Sequence, residues 1–191
     1  MLAPVLKNGR GGKIRFRQIM ESHLKLIFSP EEIHLAVNGL ASEIRRDYAG
    51  KVPLLIGVLK GSFIFLADLI RTLKMPLEVD FIRTVSYGSG DVSSGDVKIT
   101  KDIDADIENR DVLVVEDIVD TGLTLDSIFR HLQAKNPASL KICALVDKRA
   151  RRELPVKIDY SGFRVKEGFL AGYGLDYNEK YRYLPGLYIV K

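Results

Sequence analysis

DVLVVEDIVDTGLT, residues 111–124, is the stretch that decides the fold of this 191-residue chain. It opens with an apolar, β-branched run ending at Val115, which is typical of a strand buried on both faces of a parallel sheet. The run stops at two adjacent carboxylates, and an amphipathic segment with helical spacing follows over residues 125–134. The stretch therefore predicts a strand, an acidic loop and a helix, which is the repeating unit of an α/β fold.

The predicted loop carries groups that suit a sugar phosphate. Ligands of open α/β sheets bind at the carboxyl ends of the strands, where this loop lies. The hydroxyls of Thr121 and Thr124, the permissive backbone of Gly122 and the N–H groups of the following helix can together hold a phosphate. Glu116 and Asp117 would repel that phosphate, so we expect them to face sugar hydroxyls and a divalent cation. An ordinary strand-loop-helix unit with solvated acids is the alternative.

The order of residue types in this stretch resembles the phosphoribosyl-pyrophosphate motif of the type I phosphoribosyltransferases. The shared features are an apolar run, Glu-Asp, two apolar residues, Asp-Thr-Gly and a threonine. The resemblance implies a central, mostly parallel sheet flanked by helices, with a small hood built from C-terminal and N-terminal segments. It also implies that the motif binds the ribosyl donor through Glu116, Asp117, Asp120, Thr121, Gly122, Leu123 and Thr124.

Composition describes an ordinary globular chain, with 46% apolar and 28% charged residues. Its length fits one domain with a sizeable core. The one cysteine, Cys143, lies in an apolar run at 140–146, so a packing role in a reducing compartment is expected. Because no apolar stretch is long enough to span a bilayer, we expect a cytoplasmic protein without a membrane partner.

The first 22 residues are predicted to be a flexible basic extension. Five basic residues and no acid lie within residues 1–17, among several glycines. A targeting peptide or a nucleic-acid-binding arm is the alternative, but the segment has neither an apolar h-region nor a helical stripe. Residues 23–191 are predicted to form the single phosphoribosyltransferase domain, with its hood largely in 155–191. No nucleic-acid partner is expected.

A second anion-binding turn is predicted at Lys60-Gly61-Ser62, between a buried strand at 52–59 and a helix at 63–73. Lys60 supplies charge, and Gly61 lets the backbone approach a ligand closely. The resemblance implies that Lys60 and Gly61 bind pyrophosphate and that the peptide between Leu59 and Lys60 is cis. From the residues alone, a capped strand end with a solvated lysine is equally consistent with the pattern.

A mobile polar loop is predicted after the strand at 77–85. Residues 87–95, YGSGDVSSG, are rich in glycine and serine and cannot pack on themselves. The resemblance implies that Ser86 and Tyr87 belong to a lid that closes over the site during catalysis, and that 97–103 is the returning strand. A plain exposed hairpin is the alternative.

The resemblance extends to the purine-specific hypoxanthine-guanine phosphoribosyltransferases through the C-terminal residues. It implies that Lys148 donates to the 6-oxygen of the purine, whereas the residues alone also allow a solvated basic turn with Arg149, Arg151 and Arg152. In the run EGFLAGYGLDYNE, residues 167–179, it assigns base stacking to Phe169, backbone reading of the base to Leu170 and a magnesium-associated role to Asp176. Arg182 matches an arginine that meets pyrophosphate. The match spans residues 24–190, with departures at Ser62, where many members have glycine, and at Leu123, where some have lysine.

The implied activity is Mg²⁺-dependent transfer of the 5-phosphoribosyl group to N9 of hypoxanthine, guanine or both. The products are IMP or GMP and pyrophosphate, as in purine salvage. Glu116, Asp117 and Asp176 are the implied metal ligands, and Asp120 and Lys148 are the implied catalytic residues. The family further implies a homo-dimer or homo-tetramer.

Two other functions are alternatives to phosphoribosyl transfer onto a 6-oxopurine. A donor-sensing regulator that binds nucleic acid usually needs a separate DNA-binding domain, and the residues before Ser29 are too few for one. A fold-matched enzyme acting on adenine, orotate or uracil is disfavoured by Lys148 and the Phe169 hood, because an ammonium prefers a 6-oxo acceptor to a 6-amino donor.

Overall fold

The structure is a computed structural model that describes residues 23–86 and 97–191. Within these ranges the helices are α1 (Pro30–Asp47), α2 (Phe63–Leu73) and α3 (Leu123–Gln133). The strands are β1 (Leu24–Phe28), β2 (Leu54–Leu59), β3 (Glu78–Ser86), β4 (Val97–Lys101), β5 (Asp111–Val119), β6 (Ser139–Lys148), β7 (Tyr160–Val165), β8 (Phe169–Ala171) and β9 (Leu187–Val190). The predicted extension 1–22 and the predicted lid residue Tyr87 lie outside the described residues.

The main sheet has six strands in the order β4-β3-β2-β5-β6-β7. All neighbours run parallel except β4, which is antiparallel to β3. Along the chain, β2 leads through α2 to β3 on one side, whereas β5 leads through α3 to β6 on the other. The strand order therefore reverses between β2 and β5, and such a switch point opens a ligand crevice at the carboxyl ends of these two strands. The predicted α/β class is confirmed.

The central strand β5 is longer than the sequence pattern predicted. The predicted strand ended at Val115, but the strand continues to Val119 because its pairing with β6 extends to Val119 opposite Asp147. Pairing with β2 ends earlier, at Gly57 opposite Val115. The acidic residues thus lie in a part of β5 that pairs with β6 on one side and no longer pairs with β2 on the other. Helix α3 also begins earlier than predicted, at Leu123.

The hood is a separate three-stranded antiparallel sheet in the order β1-β9-β8. Its boundary differs from the prediction of 155–191, because β7 is the edge strand of the main sheet. The hood begins after Val165 and recruits β1 from the other end of the described chain. A backbone hydrogen bond of 2.9 Å from Lys191 to His23 continues this pairing.

The core lies on both faces of the main sheet. Side chains of β5 alternate between them, with Leu113 and Val115 packing towards α1 and α2, and Val112 and Val114 towards α3. Helix α1 begins at Pro30, after a capping box between Ser29 and Glu32. Burial of residues 112–115 on both faces of the sheet fixes the position of Glu116 and Asp117 in the same strand. Among the described residues, no helix combines the length and the apolar character needed to cross a bilayer.

Candidate active site

The carboxyl end of β2 forms one wall of the crevice. The peptide between Leu59 and Lys60 is cis, as the resemblance implied. Ser62, one of the two departures from the family pattern, is fully buried and donates a 2.6 Å hydrogen bond from its hydroxyl to the carbonyl oxygen of Val58. Its hydroxyl therefore closes the turn before α2, and the substitution leaves Lys60 and Gly61 in place.

Gly61 lies directly against the acid pair of β5. A Cβ atom at this position would overlap the carboxylate of Asp117, so the close approach requires glycine. The hood packs onto the same turn, because a Cβ at Gly174 would overlap the carbonyl oxygen of Gly61. The turn after β2 is thus in contact with both β5 and the hood.

Glu116 and Asp117 are both buried, with 7% of each residue exposed. Burial raises the pKa of Glu116 well above its usual range, and the neighbouring Asp117 carboxylate raises it further. The backbone N–H of Asp117 donates a 3.2 Å hydrogen bond to Glu116 Oε1. Two adjacent buried carboxylates form a site that a cation or hydroxyl donors would stabilise.

The loop after β5 completes a cavity of about 250 Å³ at the switch point. Gly122 has φ +89°, a conformation that glycine adopts without strain, and it precedes the first residue of α3. The backbone N–H of Leu123 points to the hydroxyl of Thr121 at 3.4 Å. The residues lining the cavity come from both strands and include Val58, Leu59, Gly61, Thr84, Glu116, Asp117, Ile118, Val119, Asp120, Thr121, Gly122, Thr124 and Leu125.

Asp120 and Lys148 meet beside this cavity. Lys148 is only 5% exposed, and its Nζ donates a 2.9 Å hydrogen bond to Asp120 Oδ2. The other oxygen, Asp120 Oδ1, is buried and has no hydrogen-bond partner among the described residues. Lys148 Nζ also lies 5.8 Å from the centroid of the Phe169 ring. The interpretation of Lys148 as part of a solvated basic turn is therefore wrong.

The hood brings the remaining predicted residues to the same edge. Phe169 is half exposed and makes an edge contact with Tyr177 at 6.0 Å, while Leu170 is buried in β8. Asp176 and Arg182, which the resemblance assigned to different ligands, form an ion pair of 2.6 Å. Arg182 also donates 2.8 Å to the carbonyl oxygen of Gly174. This pair holds the hood loop closed on itself.

The three implied metal ligands do not form a metal cage. Among residues 23–86 and 97–191, no group of three or more His, Cys, Asp or Glu side chains is arranged to hold a metal ion. Asp176 is engaged by Arg182 and by the backbone N–H of Glu179. The donor set of Glu116 and Asp117 still fits Mg²⁺, which typically takes one or two carboxylates and completes its shell with water and substrate phosphates.

A larger cavity, of about 980 Å³, lies away from this crevice. It is bounded by α1, α2 and residues 183–185, and it includes none of the predicted site residues. The 250 Å³ cavity is the candidate active site, because Glu116, Asp117 and the N-terminus of α3 line it and the buried Lys148 lies beside it.

The structure identifies two site residues that sequence reasoning missed. Glu179 binds Lys60 with a 2.8 Å ion pair. Arg152, interpreted as part of a solvated run, is only 17% exposed in its side chain and contacts the backbone of Asp120 and Lys148. The charges were visible in the sequence, but their partners lie on other elements, so no local pattern could identify them.

Comparison with known proteins agrees with this geometry. The family model described as phosphoribosyl transferase domain matches residues 25–178, which include the acid pair, Asp120 and Phe169. The hypoxanthine phosphoribosyltransferase of Buchnera aphidicola subsp. Schizaphis graminum is 47% identical over 168 residues, covering 87% of this chain and 95% of that protein.

Two further matches extend the comparison. The hypoxanthine-guanine phosphoribosyltransferase of Bacillus subtilis is 47% identical over 170 residues, covering 87% of this chain and 93% of that protein. A crystal structure of a hypoxanthine phosphoribosyltransferase from Staphylococcus aureus has a TM-score of 0.86 at 40% identity, covering 91% of this chain and 95% of that one. Sequence and fold thus match the same group of proteins over most of their lengths.

Proposed function

This chain belongs to the hypoxanthine phosphoribosyltransferase family, and from that premise we propose that it transfers a 5-phosphoribosyl group from phosphoribosyl pyrophosphate to N9 of hypoxanthine, guanine or both. The reaction is Mg²⁺-dependent, gives IMP or GMP with pyrophosphate, and serves purine salvage. The observation that carries the proposal is the side-by-side placement of Lys148 and Asp120 next to the Phe169 ring.

The placement of Lys148 and Asp120 suits the edge of a 6-oxopurine. Such a base presents the O6 acceptor and the N7–H donor as neighbours, and the two side chains, 2.9 Å apart, offer a donor and an acceptor in the same order. Lys148 donates to O6, while Asp120 Oδ1, which is buried without a partner among the described residues, accepts from N7–H. Phe169 stacks on the ring, and the backbone of Leu170 reads the base.

Phosphoribosyl pyrophosphate lies across the switch point between β2 and β5 in this proposal. Glu116 and Asp117 bind the ribose 2- and 3-hydroxyls at the edge of β5 that no longer pairs with β2. Lys60, Gly61 and Arg182 bind pyrophosphate. The 5-phosphate is held by backbone N–H groups and hydroxyls at the N-terminus of α3, which come from Thr121, Gly122, Leu123 and Thr124. Leu123, the second departure from the family pattern, serves this role through its backbone.

Glu116 and Asp117 are the residues that would hold Mg²⁺, with Asp176 available once its pairing with Arg182 opens. Bound there, the ion would neutralise the negative charge that develops on the pyrophosphate leaving group. Asp120 accepts the N7 proton as N9 attacks C1, and its carboxylate stabilises the positive charge on the ribosyl ring. Closure of a lid that includes Ser86 and Tyr87 excludes water, which would otherwise capture that cationic carbon.

We propose a cytoplasmic homo-dimer or homo-tetramer that acts on small molecules, without nucleic-acid or membrane partners. Light scattering after gel filtration tests the state of assembly.

An absorbance assay tests the activity directly. The purified protein is mixed with phosphoribosyl pyrophosphate and, separately, hypoxanthine, guanine, xanthine, adenine, orotate or uracil, with and without Mg²⁺. Turnover with a 6-oxopurine only in the presence of Mg²⁺ is the expected result. Turnover confined to adenine or a pyrimidine would contradict the proposed acceptor.

Asp120→Asn tests the proposed base. A positioned general base commonly contributes about 10²–10⁴-fold, so kcat should fall by that factor. Asp126→Asn is the matched control, because Asp126 lies in the first turn of α3 and pairs with Arg130. Unchanged turnover in Asp120→Asn would remove Asp120 from the mechanism.

A further inference from the structure

The side chain of Arg152 lies beneath the two proposed catalytic residues. Its Nε donates a 2.9 Å hydrogen bond to the carbonyl oxygen of Asp120. Its Nη2 lies 3.0 Å from the carbonyl oxygen of Val119 and 3.2 Å from that of Lys148. One guanidinium therefore contacts the backbone of both residues that are proposed to bind the purine edge.

Asp147 balances the charge of this arginine. The carboxylate is only 2% exposed and accepts a 2.7 Å hydrogen bond from Arg152 Nη2. It also accepts 2.8 Å from Nε of Arg149, whose own side chain is 65% exposed. Arg152 is thus committed to a buried carboxylate and to backbone carbonyls, rather than to a ligand or solvent.

The backbone after Arg152 contacts the loop after β5, which is proposed to bind the ribosyl donor. The N–H groups of Glu153 and Leu154 lie 2.9 and 3.1 Å from the carbonyl oxygen of Thr121. A Cβ at Gly122 would lie 2.6 Å from the carbonyl oxygen of Leu154, so the two segments are in close contact. Residues 152–154 therefore hold residues 119–122 in place, through the side chain of Arg152 and the backbone N–H groups of Glu153 and Leu154.

We infer that Arg152 is a positioning residue that sets the spacing of Asp120 and Lys148 by holding the backbone carbonyls of both. The inference rests on the proposed function, since it assumes the roles given there to these two residues. A planar guanidinium can donate to several acceptors at fixed angles, whereas an ammonium acts as a single compact charge. A misplacement of about 1 Å in such groups costs about 10²-fold in rate.

The test compares four variants for kcat, KM and thermal unfolding midpoint. Arg152→Lys keeps the positive charge opposite Asp147 but loses the planar guanidinium with its several N–H donors. Arg152→Gln loses both the charge and the guanidinium. Arg149→Gln is the matched control, because Arg149 binds the same carboxylate without a hydrogen bond to the backbone of Asp120 or Lys148. Should Arg152→Gln fail to fold, the double variant Asp147→Asn with Arg152→Gln removes the unpaired buried carboxylate.

The expected result for Arg152→Lys is a fall of about 10²-fold in kcat. KM for the donor should stay within about twofold, and Arg149→Gln should keep parental turnover. Arg152→Lys is also made in an Asp120→Asn background. If Arg152 acts through Asp120, the losses of kcat from the two substitutions are not additive, whereas a purely structural role of Arg152 would give additive losses. We expect the second substitution to cost less than about threefold there.

Two outcomes would overturn the inference alone. One is parental kcat in Arg152→Lys while Asp120→Asn is impaired. The other is a full additive loss in the double variant, which would mean that Arg152 acts independently of Asp120. Parental turnover in Asp120→Asn would instead remove the role proposed for Asp120, and the inference with it, whereas turnover of the parental protein confined to adenine or a pyrimidine would contradict the proposed function.

Discussion

Lys60 and Glu179, 119 positions apart in the sequence, are joined by a 2.8 Å hydrogen bond between the ammonium and Oε1. The pair links the turn after β2 to the hood loop, alongside the contact between Gly61 and Gly174. The hydrogen bond from Lys60 lowers the pKa of Glu179, which therefore stays ionised at neutral pH. The proposed pyrophosphate-binding lysine thus has an anionic partner within the protein.

Glu179→Gln should strengthen donor binding. The substitution removes the carboxylate that would compete with pyrophosphate for Lys60 if Lys60 binds it as proposed, and both side chains are well exposed. Exposed ion pairs are weak, so we expect KM for the donor to fall by up to about fivefold at low salt. Steady-state kinetics measures the change, and Glu43→Gln on α1 is the charge-matched control. An unchanged or higher KM in Glu179→Gln alone would contradict competition at Lys60.

Gly61→Ala should impair donor binding through Asp117. The added methyl overlaps the Asp117 carboxylate, so either the turn or the acid must move. Such overpacking typically costs about 1–3 kcal/mol, and displacement by about 1 Å reduces turnover by about 10²-fold. Calorimetric titration with the Mg²⁺-loaded donor checks the binding loss.

Gly39→Ala is the matched control for that variant. Gly39 lies in α1 with no atom within 4 Å of an added Cβ. Alanine in place of a helical glycine stabilises a protein by about 0.5–1 kcal/mol, so this variant should bind donor normally and unfold at a slightly higher temperature. Equal binding by both variants would show that the contact between Gly61 and Asp117 is not needed.

Asp80→Asn should destabilise the fold in a pH-dependent way. Burial by itself raises the pKa of Asp80, but hydrogen bonds from the backbone N–H groups of Ala105, Phe81 and Asp104, with the charge of Lys101, outweigh it and lower the pKa. A lowered folded-state pKa contributes stability above the unfolded value, about 3.9, and that stability is lost as pH falls through the folded value. We expect a penalty of about 1–3 kcal/mol at pH 7 that shrinks below about pH 4.

Urea unfolding at pH 7 and at about pH 3.5 measures the Asp80 effect. Asp104→Asn is the control, since the Asp104 side chain is 89% exposed and pairs with the same Lys101. A penalty for Asp80→Asn that stays constant between the two pH values would contradict the ionic contribution.

Cys143 should resist thiol reagents until the chain unfolds. The residue is fully buried in β6, and burial, together with the charge of Glu43, raises the pKa of its thiol. Only the thiolate reacts, so native protein should label far more slowly than protein in denaturant. Because this is the chain's one cysteine, mass spectrometry reads the labelled fraction without ambiguity. Rapid stoichiometric labelling under native conditions would show that β6 opens locally.

Much of the fold could be predicted from the sequence because local patterns carried it. Helix α2 matches its prediction at both ends, Phe63 and Leu73. The extension of β5 to Val119 was not predictable, because Glu116 and Asp117 interrupt the apolar run. Pairing with β6, on the other side of α3, decides that boundary instead.

The candidate site divides in the same way. Glu116, Asp117 and Asp120 were recognisable as a motif within one short stretch of sequence, and Lys148 and Phe169 could be assigned roles only through the resemblance. The ion pair of Asp176 with Arg182 and the contacts of Arg152 depend on how distant segments pack. Residue type and spacing do not encode those partners.

The hood sheet also constrains the order in which the protein can be completed during synthesis. Its middle strand, β9, is the last strand described and pairs with β1, which is the first. All strands of the six-stranded sheet have been synthesised once translation reaches Val165. A nascent chain still on the ribosome can therefore form this sheet and the loop after β5 before β9 exists to join β1 and β8. Translation must therefore pass through β9 before β8, which carries the ring proposed to stack on the purine, has its neighbouring strand.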